Sequence, residues 1–403
     1  MLKSRKKVIM GILLLGLIIV SLVAGFKIND KNRIQKINAN KSSWKENAIT
    51  FPEAGTLQPA GYITINWNSA EKIGKVKKYV IYADDKKIAE TNGKTTTYEY
   101  YTTEVKLHKI YIEAQIEKGS KIYSDVIPFY VNKKGLCMNK DMARNVDAGN
   151  WGVSWYYNWS ITKHNFTSFR DLQFVPMMWT TAPTDKQEIS VLPKLGYKYV
   201  LAFNEPDLEE QSNISVEDAV EGMKAFMNQD IYVGSPATAL CPPWSDDWFV
   251  PFMKQMKKEK MDVDFIPIHH YWNWWNEEGV QAFLDLVDKT WEMYHKPIWI
   301  TEFAISGVPY RTKQMRQSVI DYMKGVIPEL DKRDYVERYS WFSFNPTDYR
   351  NGGSALLDIT TGEITDLGKL YQSLGMPEGY ENSSKVKKEK NTQKDIVKSY
   401  MSF

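Results

Sequence analysis

From Gly149 onward the chain alternates short apolar runs with amphipathic stretches, and this alternation restricts its fold more than any other feature. The runs are "WGVSWY", "FVPMMW", "YVLAFNEP", "IYVGSPA", "FIPIHHYW", "PIWITEFA" and "RYSWFS". Between them lie helix-period stretches such as "VEDAVEGMKAFMNQ", "WFVPFMKQMKKEK", "VQAFLDLVDKTWEMY" and "TKQMRQSVIDYMKGVIPEL". Strands apolar on both faces must be covered on both, a condition met by parallel strands with crossover helices. Over about 230 residues the arrangement that fits best is an α/β fold of the closed (β/α)8 TIM-like barrel type. Seven strands are identifiable. The eighth is expected between Trp155 and Tyr199, where helical periodicity is also weakest.

The segment before this region divides into three. "MLKSRKK" is basic, and Val8 to Phe26 follows without a charge, about the length that crosses a hydrocarbon core. Lysines ahead of it place the N-terminus inside and the rest outside. Residues 1–26 therefore read as a signal anchor, or as a signal peptide if the chain is cut near "VAG". The expected location is the cell membrane, single-pass with the folded part extracellular, or the secreted state after cleavage. Residues 27–50, rich in Lys and Asn, read as a spacer. From 51 to 132 the period becomes two, in runs such as "YITINW", "KKYVIYADDKKIAE" and "HKIYIEAQIEK" broken by "NGK" and "EKGS". That is the pattern of a small β-sandwich, and it resembles a fibronectin type III domain. The barrel is assigned to 137–376, and the lysine-rich remainder, 377–403, is expected to be a solvated, flexible tail.

Composition removes several function classes. A formal charge of +3 gives no reason to expect a nucleic-acid partner. There is no Gly-rich phosphate loop and no G-x-S-x-G elbow, and the "HH" pair lacks zinc-ligand spacing, so neither cofactor nor metal is expected. Cys137 and Cys241 leave two readings open, one bridge or two buried thiols, of which the second is preferred. Oligomeric state is open.

In a barrel of this kind the C-terminal strand ends carry function. Here they carry Trp155, Trp179, Asn204 with Glu205, His269 to Trp272, Glu302, and Trp341. A glutamate at one strand end is ordinarily a helix cap. Two of them, each closing an apolar strand beside tryptophans, fit the acid and nucleophile or base that glycosidic cleavage needs. Asn204, directly before Glu205, is placed to bond a sugar hydroxyl, and Asp207 to cap the segment that follows. Twelve of the fourteen tryptophans lie between Trp151 and Trp341. Flat aromatic rings stack on the C–H faces of sugars, so Trp155, Trp179, Trp244, Trp272 and Trp341, with His269 and His270, are candidate substrate contacts. Trp291 and Trp299 are assigned to the core.

"GVSWYYNW", "FVPMMW", "LAFNEPD", "VGSPA", "DFIPIHHYW", "KPIWITEFA" and "RYSWFS", in that order, resemble family 128 of the glycoside hydrolases, in clan A, over about residues 150–372. Characterised members of that family act on β-1,3-glucans. The resemblance implies a retaining mechanism with Glu205 as acid/base at strand four and Glu302 as nucleophile at strand seven. It also implies that Tyr271 orients Glu302 and that His269 contacts substrate or supports the glutamates. His270 stands where the family commonly has tryptophan, and "NWWNEE" lengthens the loop after it. The expected substrate is thus a β-linked glucan, β-1,3 favoured, or a cell-surface exopolysaccharide. The alternative is a non-catalytic surface protein that binds polysaccharide or acts as a scaffold.

Overall fold

The computed structural model describes residues 36–376, apart from 37, 55, 60, 103, 105, 106, 118, 171, 182–184, 274–276, 311 and 312. The apolar run Val8–Phe26, the tail 377–403 and Trp274 to Asn276 of the "NWWNEE" loop lie outside the described residues. Among the described residues no helix is long and apolar enough to cross a membrane. The chain forms two compact units, one of 1–54, 64–99 and 108–128, the other of 55–63, 100–107 and 129–403.

The N-terminal β-rich region contains β1 (Ile49–Phe51), β2 (Leu57–Pro59), β3 (Gly61–Trp67), β4 (Val76–Ala83), β5 (Lys86–Asn92), β6 (Thr97–Thr102), β7 (Leu107–Ile116), β8 (Lys121–Tyr123) and β9 (Ile127–Asn132). They make two sheets, β1-β3-β6 and β2-β9-β7-β4-β5, with β8 on β7. Period two is literal in β3, where every second residue is buried. Asp84 and Asp85, both with positive φ, turn β4 into β5 as a two-residue hairpin. The spacer reading is corrected in part. Residues 38–47 are helical, and Trp44 is buried with its indole N–H donating to Asn68 O at 2.8 Å. One tryptophan among polar residues is too little periodicity to show a helix.

The second unit carries eight parallel strands: β10 (Lys134–Cys137), β11 (Trp155–Tyr157), β12 (Gln173–Phe174), β13 (Tyr199–Val200), β14 (Tyr232–Val233), β15 (Ile266–Trp272), β16 (Ile298–Ile305) and β17 (Val336–Phe342). Helices Asp185–Val191, Val216–Met223, Phe249–Lys258, Glu277–Tyr294 and Lys313–Lys332 alternate with the strands, and Asp366–Ser373 follows the last. Six strands form one ladder in the order β12-β11-β10-β17-β16-β15, while β13 and β14 pair only with each other. Single parallel bridges, Met177 with Leu201 and Gly234 with Phe265, join that pair to the two ends of the ladder. The expected closed barrel is thus corrected to an interrupted one. Pro176 and Pro236 lie at the two breaks, where a residue without an N–H cannot extend a ladder.

The eighth strand is β10, upstream of the interval in which it was expected. Its sequence, "KGLC", lacks an apolar signature for two physical reasons. Gly135 is required because a Cβ there would stand 2.3 Å from the Trp155 indole on the neighbouring strand. Lys134 is fully buried, and its ammonium donates to the carbonyls of Tyr371, Gln372 and Leu374 at the end of helix Asp366–Ser373. Lys133 does the same for Asp331 O and Arg333 O at the end of helix Lys313–Lys332, at 3.0 and 2.8 Å. Cations are favoured at helix C-termini, where carbonyls lack partners.

Candidate active site

The strands place side chains on two faces. Outward-facing residues pack under the helices in the larger cluster, which includes Trp341, Phe303 and Tyr371. Inward-facing residues of β10, β11, β13 and β16, with neighbours beside β12 and β15, meet in a second cluster containing Cys137, Trp155, Tyr157, Tyr199, Phe265 and Trp299. The Arg338 guanidinium lies within it, 4.1 Å from the Trp299 ring centre and 4.7 Å from that of Tyr199. A cation boxed by aromatic faces fills the inner core on one side. On the other, Tyr157 is the layer beneath the carboxylates.

Asn204 and Glu205 follow β13, and Asn204 bridges to Ala237. Glu205 adopts φ +42°, a left-handed conformation that costs a non-glycine residue on the order of 1 kcal/mol, and its N–H donates to Ala237 O at 2.7 Å. Strained backbone of this kind concentrates at functional sites. Glu302 stands inside β16. Its Oε1 accepts from Tyr157 Oη at 2.8 Å and Trp159 Nε1 at 2.7 Å, and its Oε2 accepts from Tyr271 Oη. Three donors fix one carboxylate in one orientation.

His269 lies between the two acids. Its Nδ1 is 2.9 Å from Glu205 Oε1 and its Nε2 is 3.4 Å from Glu302 Oε1. Complete burial pulls the imidazole pKa down, but the Glu302 charge and the bond to Glu205 outweigh burial and leave it raised above its ordinary value. Tyr271 and Tyr157 are pushed well above the usual phenol range, by burial and then by the Glu302 charge. Both hydroxyls therefore remain donors to Glu302. One oxygen of each glutamate and one His269 nitrogen lie within 4.8 Å of one another.

Both acids open on a cleft of about 500 Å³. Trp159, Trp179, Phe342 and Phe344 supply aromatic walls, and Asn139, Asn204 and Gln211 supply polar ones. Four residues that sequence reasoning passed over thus touch the centre of the site: Tyr157, Trp159, Phe342 and Gln211. The first two were visible in "SWYYNW", at the step where an inward residue of β11 gives way to the loop. Gln211 accepts from Asn204 Nδ2 at 3.1 Å and leaves Asn204 Oδ1 buried without a hydrogen bond.

Several expectations are corrected. Trp155 and Trp341 are 0% and 1% exposed and belong to the core; their indole N–H groups donate to Lys133 O and Ser354 O. His270 is buried against Phe283 and Cys241 rather than on the cleft, and burial pulls its pKa down to about 4. Trp244 and Trp272 stack at 6.2 Å, with Trp244 47% exposed, but neither lines the cleft that holds the glutamates. His269 is fully buried and contacts the two acids, so its place is behind the two carboxylates rather than on the cleft wall. Cys137 and Cys241 are separate buried thiols. Asp207 accepts from the N–H groups of Ala239 and Leu240 and so ties down a loop.

Residues 135–371, more than half of the chain, match the glycosyl hydrolase catalytic core family. The chain belongs to that family. Its second unit is therefore a glycoside hydrolase catalytic core, with a mixed α/β fold shared by solved relatives. Among these is a family 128, subgroup I endo-β-1,3-glucanase from Amycolatopsis mediterranei, solved as a glutamate-to-glutamine variant with laminarihexaose. It is 26% identical, with TM-score 0.52, over 60% of this chain and 100% of that one. The same enzyme as a glutamate-to-alanine variant, with laminaritriose and laminaribiose, gives 27% identity and TM-score 0.53, covering 60% and 99%. Alkali-sensitive linkage protein 1 of Schizosaccharomyces pombe is 27% identical over 253 residues, 60% of this chain. This glycosyl hydrolase chain spans only 44% of that curated relative.

Proposed function

We propose that this protein is a retaining β-1,3-glucan hydrolase with Glu205 as acid/base and Glu302 as nucleophile. The observation that carries the reading is the convergence of two buried carboxylates on one histidine, with one oxygen of each within 4.8 Å of the other. Retaining pairs stand about 5–5.5 Å apart, whereas inverting pairs leave about 6.5–9.5 Å for a water. Glu302, held by three donors, is aimed rather than mobile, as an in-line nucleophile requires. In the first step the Glu205 carboxyl proton passes to the glycosidic oxygen, the C1–O bond breaks, and a Glu302 oxygen bonds C1. In the second a water gives its proton to the Glu205 carboxylate, and its oxygen bonds C1 as the ester to Glu302 breaks. The β-1,3 linkage rests on one relative, solved with laminari-oligosaccharides in two variants that each carry one glutamate replaced. A pure binder has no use for two buried, converging acids.

A fibronectin type III-like sandwich is supported by strand orders β1-β3-β6 and β5-β4-β7-β9. Export with membrane anchoring through residues 1–26 is supported by the basic start and the uncharged run to Phe26. Fractionation of producing cells, with the protein followed in membrane and medium, tests the last.

The deciding experiment incubates the full chain, kept in mild detergent, with β-1,3-, β-1,4- and β-1,6-glucans and polymer from the producing cell. Product lengths and the anomeric configuration of new reducing ends are followed by NMR. The expected result is β-configured products from β-1,3-glucan, absent for Glu302→Ala. Tight retention of one polymer by both forms without cleavage would replace the enzyme by a glycan-binding protein.

A further inference from the structure

His269 and Glu302 are paired across the β15–β16 ladder, and Glu205, after β13, meets the same imidazole. The two ring nitrogens are held unequally. Nδ1 lies 2.9 Å from Glu205 Oε1, a hydrogen bond. Nε2 lies 3.4 Å from Glu302 Oε1 and is buried without a hydrogen-bond partner. Glu302 Oε1 already accepts from Tyr157 and Trp159, which occupy its two lone pairs. The ring is 0% exposed and does not line the cleft, so its partners for proton exchange are the acids rather than solvent.

These contacts decide where the ring protons sit. A bare Nε2 would turn its lone pair on the Glu302 carboxylate, whereas Nε2–H turns a positive hydrogen on it. The Nε2–H form is favoured, and in the neutral ring it leaves Nδ1 as an acceptor facing Glu205. Glu205, protonated as an acid must be, then donates to Nδ1. Moving that proton along the 2.9 Å bond gives an imidazolium beside a carboxylate, with no heavy atom displaced. Burial opposes the imidazolium, but the charges of Glu302, Glu205 and Asp207 together outweigh it. The Cys241 thiol, which donates to His269 O, is pushed well up by burial and stays neutral.

We infer that His269 holds the catalytic proton for Glu205, so that the acid/base is a glutamate–histidine pair sharing one exchangeable proton. The inference rests on the proposed roles of Glu205 and Glu302. In the first step a Glu302 oxygen bonds C1 and its charge is lost, which withdraws the partner that stabilises the imidazolium. The proton moves from Nδ1 to the Glu205 carboxyl and on to the glycosidic oxygen as the C1–O bond breaks. In the second step water gives a proton to Glu205 and its oxygen to C1, and the ester to Glu302 breaks. Glu302 regains its charge, and the proton returns to Nδ1. The Nε2 proton stays in place throughout. His269 acts through Glu205 and touches no sugar, so it is a positioning residue that ties the acidity of one glutamate to the charge of the other.

The test compares the full chain with His269→Asn, whose amide cannot carry the proton, on β-1,3-glucan and on the dinitrophenyl β-glycoside of laminaribiose. Dinitrophenolate leaves without being protonated, so its release does not need the acid. On glucan, kcat/KM is expected to fall about tenfold or more. Its alkaline limb is expected to move down by about one pH unit or more, because Glu205 loses the acceptor that stabilises its protonated form. Dinitrophenolate release should stay close to that of the intact chain. An alkaline limb left in place, or equal loss on both substrates in a variant of unchanged melting temperature, overturns the proposal. A second measurement leaves His269 in place. The chain is isotope-labelled on the nitrogens of its five histidines, the signals are assigned by substituting the other four singly, and His269 is followed by NMR against pH. Nε2 should read as protonated on both sides of the titration while Nδ1 changes, and the midpoint should drop in Glu302→Gln. A neutral ring protonated on Nδ1, or a midpoint indifferent to Glu302→Gln, overturns the proposal. Failure of the catalytic reading would show differently, as glucan cleavage that survives Glu302→Ala.

Discussion

Glu205 and Glu302 share one histidine, and the consequences belong to single side chains. His269 reaches each acid through a different ring nitrogen, so a shift in one carboxylate is felt by the other. The two glutamates are nevertheless distinguishable by what replaces them. On the proposed assignment, Glu302→Ala leaves a space on the nucleophile's side of the sugar, and azide entering it should restore turnover and yield an α-glycosyl azide. Glu205→Ala retains the nucleophile, so azide attacks the glycosyl-enzyme and a β-glycosyl azide is expected, as NMR of the products will show. Equal, azide-insensitive loss in both variants would remove the assigned roles. Gln211 is a positioning residue of the same network. Its bond to Asn204 Nδ2 turns the amide that faces the cleft. Gln211→Ala should lower kcat about tenfold or more with little change in KM, the mark of a contact realised at the transition state. A merely structural role would lower the melting temperature without a fall in kcat confined to the folded enzyme.

At the scale of one strand, β17 separates what the sequence shows from what it hides. Trp341 and Phe342 are neighbours, and in a strand neighbours face opposite ways. Trp341 is 1% exposed under the helices, while Phe342 lines the cleft. Trp341→Ala should therefore cost about 3–5 kcal/mol of stability in denaturant unfolding, and Phe342→Ala should mainly raise KM for glucan. The reverse pattern would invert the face assignment. Choosing Trp341 as a sugar contact was an error of one residue, and with period two one residue exchanges core for site. Elements with long apolar runs, β15 and β16, were legible, and with them Glu302, His269 and Tyr271. Asn204 and Glu205 were legible from "AFNEP" even though β13 itself is two residues long. β10 was not, because what a buried strand needs there is a glycine under Trp155 and a lysine on helix carbonyls. Such demands come from distant partners, and no local periodicity records them.

For the molecule as a whole, the buried titrating groups set how stability follows pH. Burial pulls Lys134 down to about 7 and Lys133 down to about 8, with nearby acids such as Asp331 only partly opposing it. An unfolded lysine titrates near 10.4. Between these values the unfolded chain holds more protons than the folded one, so stability rises with pH across the window from about 7 to 10. The contribution is complete above the ordinary lysine pKa and is lost as pH falls through 8 and then 7. Buried tyrosines act in the opposite sense at higher pH. Tyr339 and Tyr371 are pushed well above 10 by burial, so the unfolded chain loses those protons first. Their contribution is present below about 10 and is lost as pH climbs further. His269, raised above its ordinary value, adds stability below about 6.5 that fades as pH passes its folded pKa. These opposing terms predict a melting temperature that climbs between pH 8 and about 10 and then declines. Lys134→Met should flatten the climb while leaving the decline above 10 in place. A climb of the same slope in that variant would mean that Lys134 stays charged in the fold, its three carbonyl partners outweighing its burial.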